Sequence, residues 1–563
     1  MSARELITEH LDLWTGAATK KSSSGRGSNG KVELTGVKKL RELILELAVR
    51  GLLTDQLSTD EPANKLIEKI IPEVKQLIED GRFKVPKEPR SNSEVEGPFK
   101  IPQTWFWCSL DRIAVIARGG SPRPIKAYTT TGPNGLNWIK IGDARKGSRL
   151  ITEAAEKIIP EGLRKTRMVY PGDLILSNSM SFGQPYILDI EGCIHDGWLL
   201  LRTPEGLVDK VFLYYLLLSP YAMNAFTDSA AGAVVQNLNA DKVRLLQVPL
   251  PPLEEQHRIV QKVDELMALC DRLEQQTSDQ LEAHETLVDT LLGTLIQSEN
   301  ATELADNWAR LAAHFDTLLT TEQSIDKLKQ TILQLAVMGR LTQQDPAEES
   351  ASVLLGKIAD EMDQLTANKR TKNGRALPPI SDEELPFEKP LGWEATRLHS
   401  LIAISSGDGL TAAEMNNDGG VPVFGGNGVN GFHDKANVQE PTLVIGRVGY
   451  YCGSIHITPE KAWVTDNAFI TRYAREHLSQ RYLYWLLKAT NLKEQDNATA
   501  QPVISGRKIY PIVVIIAPRL EQDRISKKID ELMAFCDQLK ERLNQAGETR
   551  CQLAEAVVEG ALN

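Results

Sequence analysis

Few residues in this chain combine type and spacing in a way that could do covalent chemistry. The stretch GRGSNGKV, from Gly25 to Val32, has the glycines and lysine of a phosphate-cradling loop. Val32 stands where a hydroxyl would be needed to hold magnesium, and no apolar strand leads into the stretch, so no nucleotide site is expected there. GNGVNG, starting at Gly426, satisfies G-x-G-x-x-G, but FHDKANV follows it instead of an amphipathic helix. A pyrophosphate would lack the helix N-terminus such sites use, and a turn between strands is expected. His284-Glu285 begins a zinc-type HExxH, but Val288 occupies the second histidine position. Asp60 with Glu73 and Lys75 has the composition of a nuclease carboxylate cluster, yet NKLIEKIIPEVKQLIED reads as a surface helix with a solvated charged face. No order of Ser, His and Asp makes a nucleophilic site. What remains is binding.

The frame that must position any binding residues is written twice. VDELMALCDRLE at Val263 returns as IDELMAFCDQLK at Ile529, 266 residues later. LRELILELAVRGLLTDQ from Leu40 matches LKQTILQLAVMGRLTQQ from Leu328, an offset of 288 that also relates Pro98 to Pro386, Pro102 to Pro390 and Trp105 to Trp393. HLDLWT at His10 resembles HFDTLLT at His314. KKSSSGRGSNGKVEL reads as a flexible Ser/Gly loop of the first copy alone. The frame is copied closely while the inserts differ, the second being 22 residues shorter. Such a chain suits the presentation of two related but different surfaces.

Ile259, Val263, Leu266, Cys270 and Leu273 are spaced 4, 3, 4, 3, and Ile525, Ile529, Leu532, Cys536 and Leu539 repeat the spacing. This is an apolar seam of period 3.5, and the two helices are expected to pair along it, the cysteines acting as small seam hydrophobes. PPLEEQ and PRLEQ carry helix-start signals ahead of the seams. The first helix is predicted from Glu254 to Gln297, about 65 Å at ~1.5 Å per residue. The inserts read as mixed α and β: LNWIKIGD, GDLILSNS, PTLVIGRVG and GSIHITP are strand-like, while KVFLYYLLLSPYAMNAF and SQRYLYWLLKATNL are helical at matching places.

The 563 residues exceed a single core, and 42% apolar with 25% charged residues is ordinary for a globular chain. The longest apolar run is far too short to span a bilayer, MSARELITEH carries no secretion signal, and six cysteines without a CxxC pair fit a reducing cytosol. The net charge of −11 is unevenly spread. Residues 98–250 carry 17 Lys and Arg against 13 Asp and Glu, and residues 386–518 carry 12 of each. The acid excess therefore lies in the frame, and a basic patch on an insert stays open.

VPLPPLEEQHRIVQKVDELMALCDRLE and VIIAPRLEQDRISKKIDELMAFCDQLK resemble the conserved repeats of specificity subunits of type I restriction-modification enzymes. VPVFGGNGVNGFHDKA, TLVIGRVGYYCGSIHI and WVTDNAFI resemble that family's target-recognition domain, and GRGSNGKVELTGVKKLRELILELAVRGLL resembles a subgroup with an extended N-terminal region. The resemblance implies an α+β fold: two α/β target-recognition domains joined by two long helices pairing as an antiparallel coiled coil, with a pseudo-two-fold repeat. The implied layout is a helical region at 1–97, recognition domains at 98–252 and 386–518, a central helical region at 253–385 and a last helix at 519–563. It further implies a cytoplasmic, non-catalytic subunit. Each domain reads half of a bipartite double-stranded DNA site, and the helices dock two methyltransferase subunits and, through the complex, restriction subunits. S-adenosylmethionine, ATP and Mg2+ then belong to the partners, with no cofactor, metal or membrane for this chain.

In that setting Lys and Arg position the duplex, and amides, hydroxyls and Arg read base edges. Candidate DNA-binding residues beside Gly/Pro-rich loops are Ser121, Arg123, Lys126, Lys140, Arg145, Lys146, Asn178, Ser181 and Gln184 in the first insert. In the second they are Asn427, Asn430, His433, Arg447, Tyr450, Asn467, Arg507 and Lys508. Asp196 and Asp466, in matching places, read as structural. The rival readings are a coiled-coil scaffold joining two protein-binding domains without DNA, and a standalone enzyme using the G-x-G-x-x-G loop.

Overall fold

The computed structural model describes residues 9–17, 19–20, 32–80, 83, 97–145, 147–178, 182–230, 238–366, 378–416, 420–492 and 503–562. Most of the Ser/Gly stretch, with the GRGSNGK sequence, and the candidates Lys146 and Ser181 lie outside these residues. The chain folds as two units, residues 1–279 with 546–563, and residues 280–545.

The first unit begins with frame helices α1 (Leu11–Gly16), α2 (Thr35–Val49) and α3 (Ala63–Asp80). Strand β1 (Phe106–Ser109) opens the insert and the last strand, β12 (Gln247–Leu250), pairs antiparallel with it, so the insert hangs from a two-stranded ribbon. Between them run β2 (Val115–Arg118), β3 (Thr129–Thr130), β4 (Leu136–Ile139), β5 (Leu150–Ile151), β6 (Glu156–Ile158), β7 (Arg167–Val169), β8 (Leu174–Ser177), β9 (Pro185–Leu188), β10 (Gly192–Ile194) and β11 (Trp198–Arg202). Helices α4 (Lys210–Leu218), α5 (Pro220–Ala230) and α6 (Ala240–Arg244) follow, then the long helix α7 (Leu253–Gln297).

The strands form two five-stranded sheets, ordered β2-β11-β8-β9-β5 and β3-β6-β4-β10-β7. Side chains alternate across a strand. Leu174, Leu176, Leu199 and Leu201 therefore enter the core shared with α2 and α4, while Ile175, Trp198 and Leu200 join Ile139 and Ile194 of the second sheet. Burial on both faces explains why these strands are unbroken apolar runs. The helical stretch after β11 is two helices rather than one. Pro220 has no N–H to continue α4, and Ser219 Oγ donates to the Leu216 carbonyl at 2.7 Å.

The second unit repeats this plan. Its frame helices are α8 (Ala301–Ala312), α9 (Phe315–Leu318), α10 (Glu322–Val337) and α11 (Ala351–Thr366). The insert has β13 (Glu394–Arg397), β14 (Ile402–Ser406), β15 (Val421–Gly425), β16 (Gly428–His433), β17 (Leu443–Gly446), β18 (Ile455–Ile457), β19 (Trp463–Val464) and β20 (Ala468–Tyr473). It closes with α12 (Gln480–Ala489), α13 (Gly506–Ile509) and β21 (Val513–Ile516), ahead of the long helix α14 (Arg519–Leu562). β13 pairs with β21, the main sheet runs β14-β20-β17-β18, and the second sheet runs β16-β15-β19. As expected, GNGVNG is a turn between strands: Gly425 pairs with Gly428 across it.

The fold is α+β with two long helices, each beginning in one unit and ending in the other. The first core holds Ile259, Val263, Leu266 and Cys270 of α7 together with Ala554 of α14; the second holds Ile525, Ile529 and Cys536 of α14 together with Val288, Leu292 and Leu295 of α7. Each core thus gathers the start of one long helix and the end of the other, an antiparallel arrangement. The pairing expected from the sequence runs start to end: the first seam shares its core with the end of α14, and the second seam shares its core with the end of α7. Leu273 is a partly buried neighbour in the first core, and Leu532 and Leu539 are in the second. A heptad marks the buried face of a helix but not what buries it.

The frame helices share these cores with the long helices. Arg41 on α2 donates to Asp271 at 2.7 Å and Glu274 at 2.9 Å on α7, and Lys39 lies 3.8 Å from Glu555 on α14. In the second unit Lys327 on α10 reaches Glu285 at 2.8 Å and Asp289 at 2.7 Å on α7, while Lys329 pairs with Asp537 on α14. Exposed pairs of this kind are worth roughly 0–1 kcal/mol each, so they set register while the buried seam residues, at about 1.5–3 kcal/mol each, hold the bundle.

Candidate functional site

Four segments meet at one end of the main sheet in each insert. In the first, the Gly119 N–H donates to the Trp198 carbonyl, the Asn178 N–H to the Gly197 carbonyl and the Leu238 N–H to the Asn178 carbonyl, each at 2.9 Å. In the second, the Gly407 N–H donates to Ala468 at 3.1 Å, the Arg447 N–H to Asn467 at 2.9 Å and the Ile504 N–H to Arg447 at 2.9 Å. A Cβ on Gly119 would stand 2.2 Å from the His195 carbonyl oxygen, and one on Gly407 2.2 Å from that of Val464. Only glycine lets the loops close this far. The backbone junction is the same in both inserts; the side chains on it differ.

In the first insert the junction is cationic. Asp196 accepts from Ser121 Oγ at 2.7 Å and lies 3.0 Å from His195 Nε2. Its carbonyl accepts from Asn178 Nδ2 at 2.8 Å and Arg118 Nε at 3.1 Å. Burial would raise the Asp196 pKa, but the Ser121 hydrogen bond and the charges of His195, Arg118 and Arg123 outweigh it and hold the carboxyl below its ordinary value. Arg123 and Lys126 are exposed. Lys165 Nζ donates to the Arg123 carbonyl at 3.5 Å, and Arg167 Nε to the Arg118 carbonyl at 3.2 Å. Arg118, Arg123, Lys126, Lys165 and Arg167 thus gather on two adjoining segments. Arg118, Lys165 and Arg167 were not singled out from sequence, although LRKTR at 163–167 places three cations within five residues.

In the second insert the junction opens into a cleft of about 210 Å³, lined by Gly426, Asn427, Asn430, Val448, Gly449, Tyr450, Tyr451 and Asn467. The β15–β16 turn, the loop after β17 and the turn before β20 supply its three walls. Ser454 Oγ donates to the Gly426 carbonyl at 2.6 Å, fastening the first wall to the second. Asn427, Asn430 and Asn467 are exposed, and so are Tyr450 at 65% and Tyr451 at 51%, their rings edge to face at 5.1 Å. Tyr451 is a further addition to the sequence reading. Arg447 sits beside the cleft, half-buried, its Nη1 donating to Ser406 Oγ and to the Asp466 carbonyl, both at 3.3 Å. His456 backs the β15–β16 turn at Gly428; burial, then Lys488, holds its pKa below the ordinary histidine value.

The other candidates fall apart from these groups or inside the fold. Asn178 is only 2% exposed and its amide is committed to Asp196, so its assignment as a DNA contact is corrected: it is an internal strut. Lys140 is tied to Glu156 and Arg145 to Glu153. Gln184 closes the turn after β8, its N–H donating to Ser177 Oγ at 3.0 Å. The half-buried His433 ring stands 5.1 Å from Trp463, and Nδ1 is 3.1 Å from the Glu414 carbonyl. Arg507 is exposed and Lys508 half-buried on α13. Residues weighed for catalysis are engaged structurally: Asp60 pairs with Arg258 at 2.6 Å, His284 Nε2 lies 3.1 Å from the Thr317 carbonyl, and Glu285 holds Lys327.

A cationic junction can hold phosphate oxygens, and a cleft edged by amides and phenols can meet nucleobase edges; an amide pairs naturally with adenine. The family described as type I restriction modification DNA specificity domain matches residues 102–283 and 390–548, each span an insert with part of a long helix. The chain is 36% identical over 609 residues to the type I restriction enzyme EcoAI specificity subunit of Escherichia coli, covering 100% of both. It is 33% identical over 612 residues to the EcoEI specificity subunit of Escherichia coli, again covering 100% of both. The crystal structure of the HsdS subunit from Thermoanaerobacter tengcongensis matches at 18% identity and TM-score 0.41, over 83% of this chain and 98% of that one.

Proposed function

The chain belongs to the type I restriction-modification DNA specificity family, and we propose that it reads a bipartite DNA site, one half with each insert. Its role is recognition of DNA sequence within such a system. The observation that carries the two-headed reading is the repeated junction: one backbone frame, built twice, bearing cations on one copy and amides with tyrosines on the other. In the first insert Arg118, Arg123, Lys126, Lys165 and Arg167 hold phosphates. In the second Asn427, Asn430 and Asn467 read base edges, Tyr450 and Tyr451 pack against sugar or base, and Arg447 borders the same surface. Lys140, Arg145, Gln184, His433, Arg507 and Lys508 take outer positions in the two interfaces.

The acid excess of the frame supports a second part of the reading. The frame and long helices meet protein, docking two methyltransferase subunits, while restriction subunits join the assembly. S-adenosylmethionine, ATP and Mg2+ act on those partners, and this chain supplies position without a chemical step. The work is cytoplasmic, where the DNA is. No described helix is long and apolar enough to cross a membrane.

Sequencing methylated adenines in genomic DNA from cells with and without this chain tests the proposal. A two-part motif that disappears with the chain is expected. An unchanged methylation pattern, with no DNA bound by the assembled complex, would return the chain to the scaffold reading.

A further inference from the structure

One helical turn, written twice, fastens each insert to its long helix. Glu255 is fully buried; its Oε2 accepts from Trp105 Nε1 at 2.9 Å, and its Oε1 accepts from Gln56 Nε2 at 2.6 Å and Thr54 Oγ1 at 3.2 Å. Glu521, 1% exposed, accepts from Trp393 Nε1 at 2.9 Å, Thr342 Oγ1 at 3.1 Å and Gln344 Nε2 at 3.3 Å. The following residues repeat as well. Gln256 Nε2 donates to the Pro251 carbonyl at 3.0 Å and its Oε1 accepts from the Asp209 N–H at 2.8 Å. Gln522 donates to Ala517 at 2.9 Å and accepts from Ser479 at 3.1 Å. Arg258 pairs with Asp60, and Arg524 with Glu348. Gly51 and Gly339, with φ of 71° and 67°, let the frame loop pass under the tryptophan, where a Cβ would meet Pro102 or Pro390 at 2.5 or 2.6 Å.

Each glutamate therefore joins three segments that are far apart in sequence: the loop after α2 or α10, the chain as it enters the insert, and the first turn of the long helix. All three donors are neutral, and burial raises the pKa of both carboxyls. A dry carboxylate is a poor way to gain stability, since an apolar side chain of like volume often does as well or better. What it adds is direction, because its two oxygens fix three donors at set angles.

We propose that Glu255 and Glu521 are positioning residues for DNA recognition, each fixing the angle at which its insert stands on its long helix, and that together they restrict the gap accepted between half-sites. This rests on the two-headed reading above. Neither residue touches DNA; each acts through Trp105 or Trp393.

The test uses the full chain assembled with the methyltransferase subunits of its own system. The substrate is a plasmid pool carrying the mapped half-sites at gaps shorter and longer than the native one. Wild type should methylate one gap strongly. Glu255→Gln keeps the volume but turns an amide N–H toward a donor. It should lower the ratio of preferred to neighbouring gaps by about tenfold, the scale of one lost hydrogen bond to a charged group, with both half-site sequences unchanged. Glu521→Gln should do the same from the other copy. Trp105→Phe removes the N–H and keeps the ring, and Thr54→Val removes another donor; they carry the same test should Glu255→Gln fail to fold. Methylation that falls evenly at every gap, in step with the folded fraction, would overturn the proposal by leaving these residues a purely structural role. A wild-type complex that methylates no bipartite site would sink the DNA-recognition reading itself, a distinct failure.

Discussion

Asn178 and Arg447 occupy the same node of the two inserts. Each backbone N–H donates at 2.9 Å to the residue after the matching aspartate, Gly197 or Asn467. Each side chain reaches the carbonyl of that aspartate, at 2.8 Å from Asn178 and 3.3 Å from Arg447. One is sealed at 2% exposure; the other is half-buried beside an open cleft.

The pair should therefore respond differently to truncation. Asn178→Ala empties a buried site and removes one of the two donors to the Asp196 carbonyl, which keeps Arg118, and should cost about 1 kcal/mol of stability. Arg447→Ala should change stability by less than about 1 kcal/mol, the scale of a partly exposed polar contact, and impair the second half-site more than the first. Urea unfolding and half-site methylation assays separate the two effects; equal loss at both halves from Arg447→Ala would count against separate reading heads.

Salt should distinguish the inserts. Replacing Arg123, Lys126 and Lys165 by alanine should lower the slope of log affinity against log salt by about 2–3, at roughly 0.9 per phosphate contact. Asn427→Ala with Asn430→Ala should leave that slope unchanged and relax base preference in one half-site by about 1–3 kcal/mol. Binding titrations across a salt series read both quantities.

Acid should loosen the second insert through His456. Its folded-state pKa is depressed, so the unfolded chain takes the proton first. Stability is then full above the ordinary histidine pKa of about 6.5 and is lost as pH falls below it toward the folded value. His456→Gln should remove that slope, seen as melting temperatures of the two proteins diverging in pH dependence between neutral and mildly acid buffer.

Much of the frame is legible in the sequence because it rests on local signals. The seam spacing, the Pro-Glu helix starts and the duplicated phrases mark α7 almost to the residue and the start of α14. The GNGVNG turn is likewise local. The frame helix beside the seam is not legible, since Ile525 shows that a face is buried without naming α10, whose Leu333 and Ala336 line the same small cavity. The junction is harder still. Gly119, Asn178, Asp196 and Leu238 meet only through strand pairing, and nothing near Asn178 in sequence announces that its amide is spent on Asp196. Tyr451 adjoins Tyr450, but the cleft that makes both useful needs Asn427 and Asn467 from other loops.

Exchanging residues 98–250 for the corresponding insert of a relative with a different target, then mapping methylated sites in genomic DNA, tests two independent reading heads most directly. One half of the modified site should change to the donor's sequence while the other half stays as it was. A chimera that still modifies the original full site, or one in which both halves change together, would contradict it.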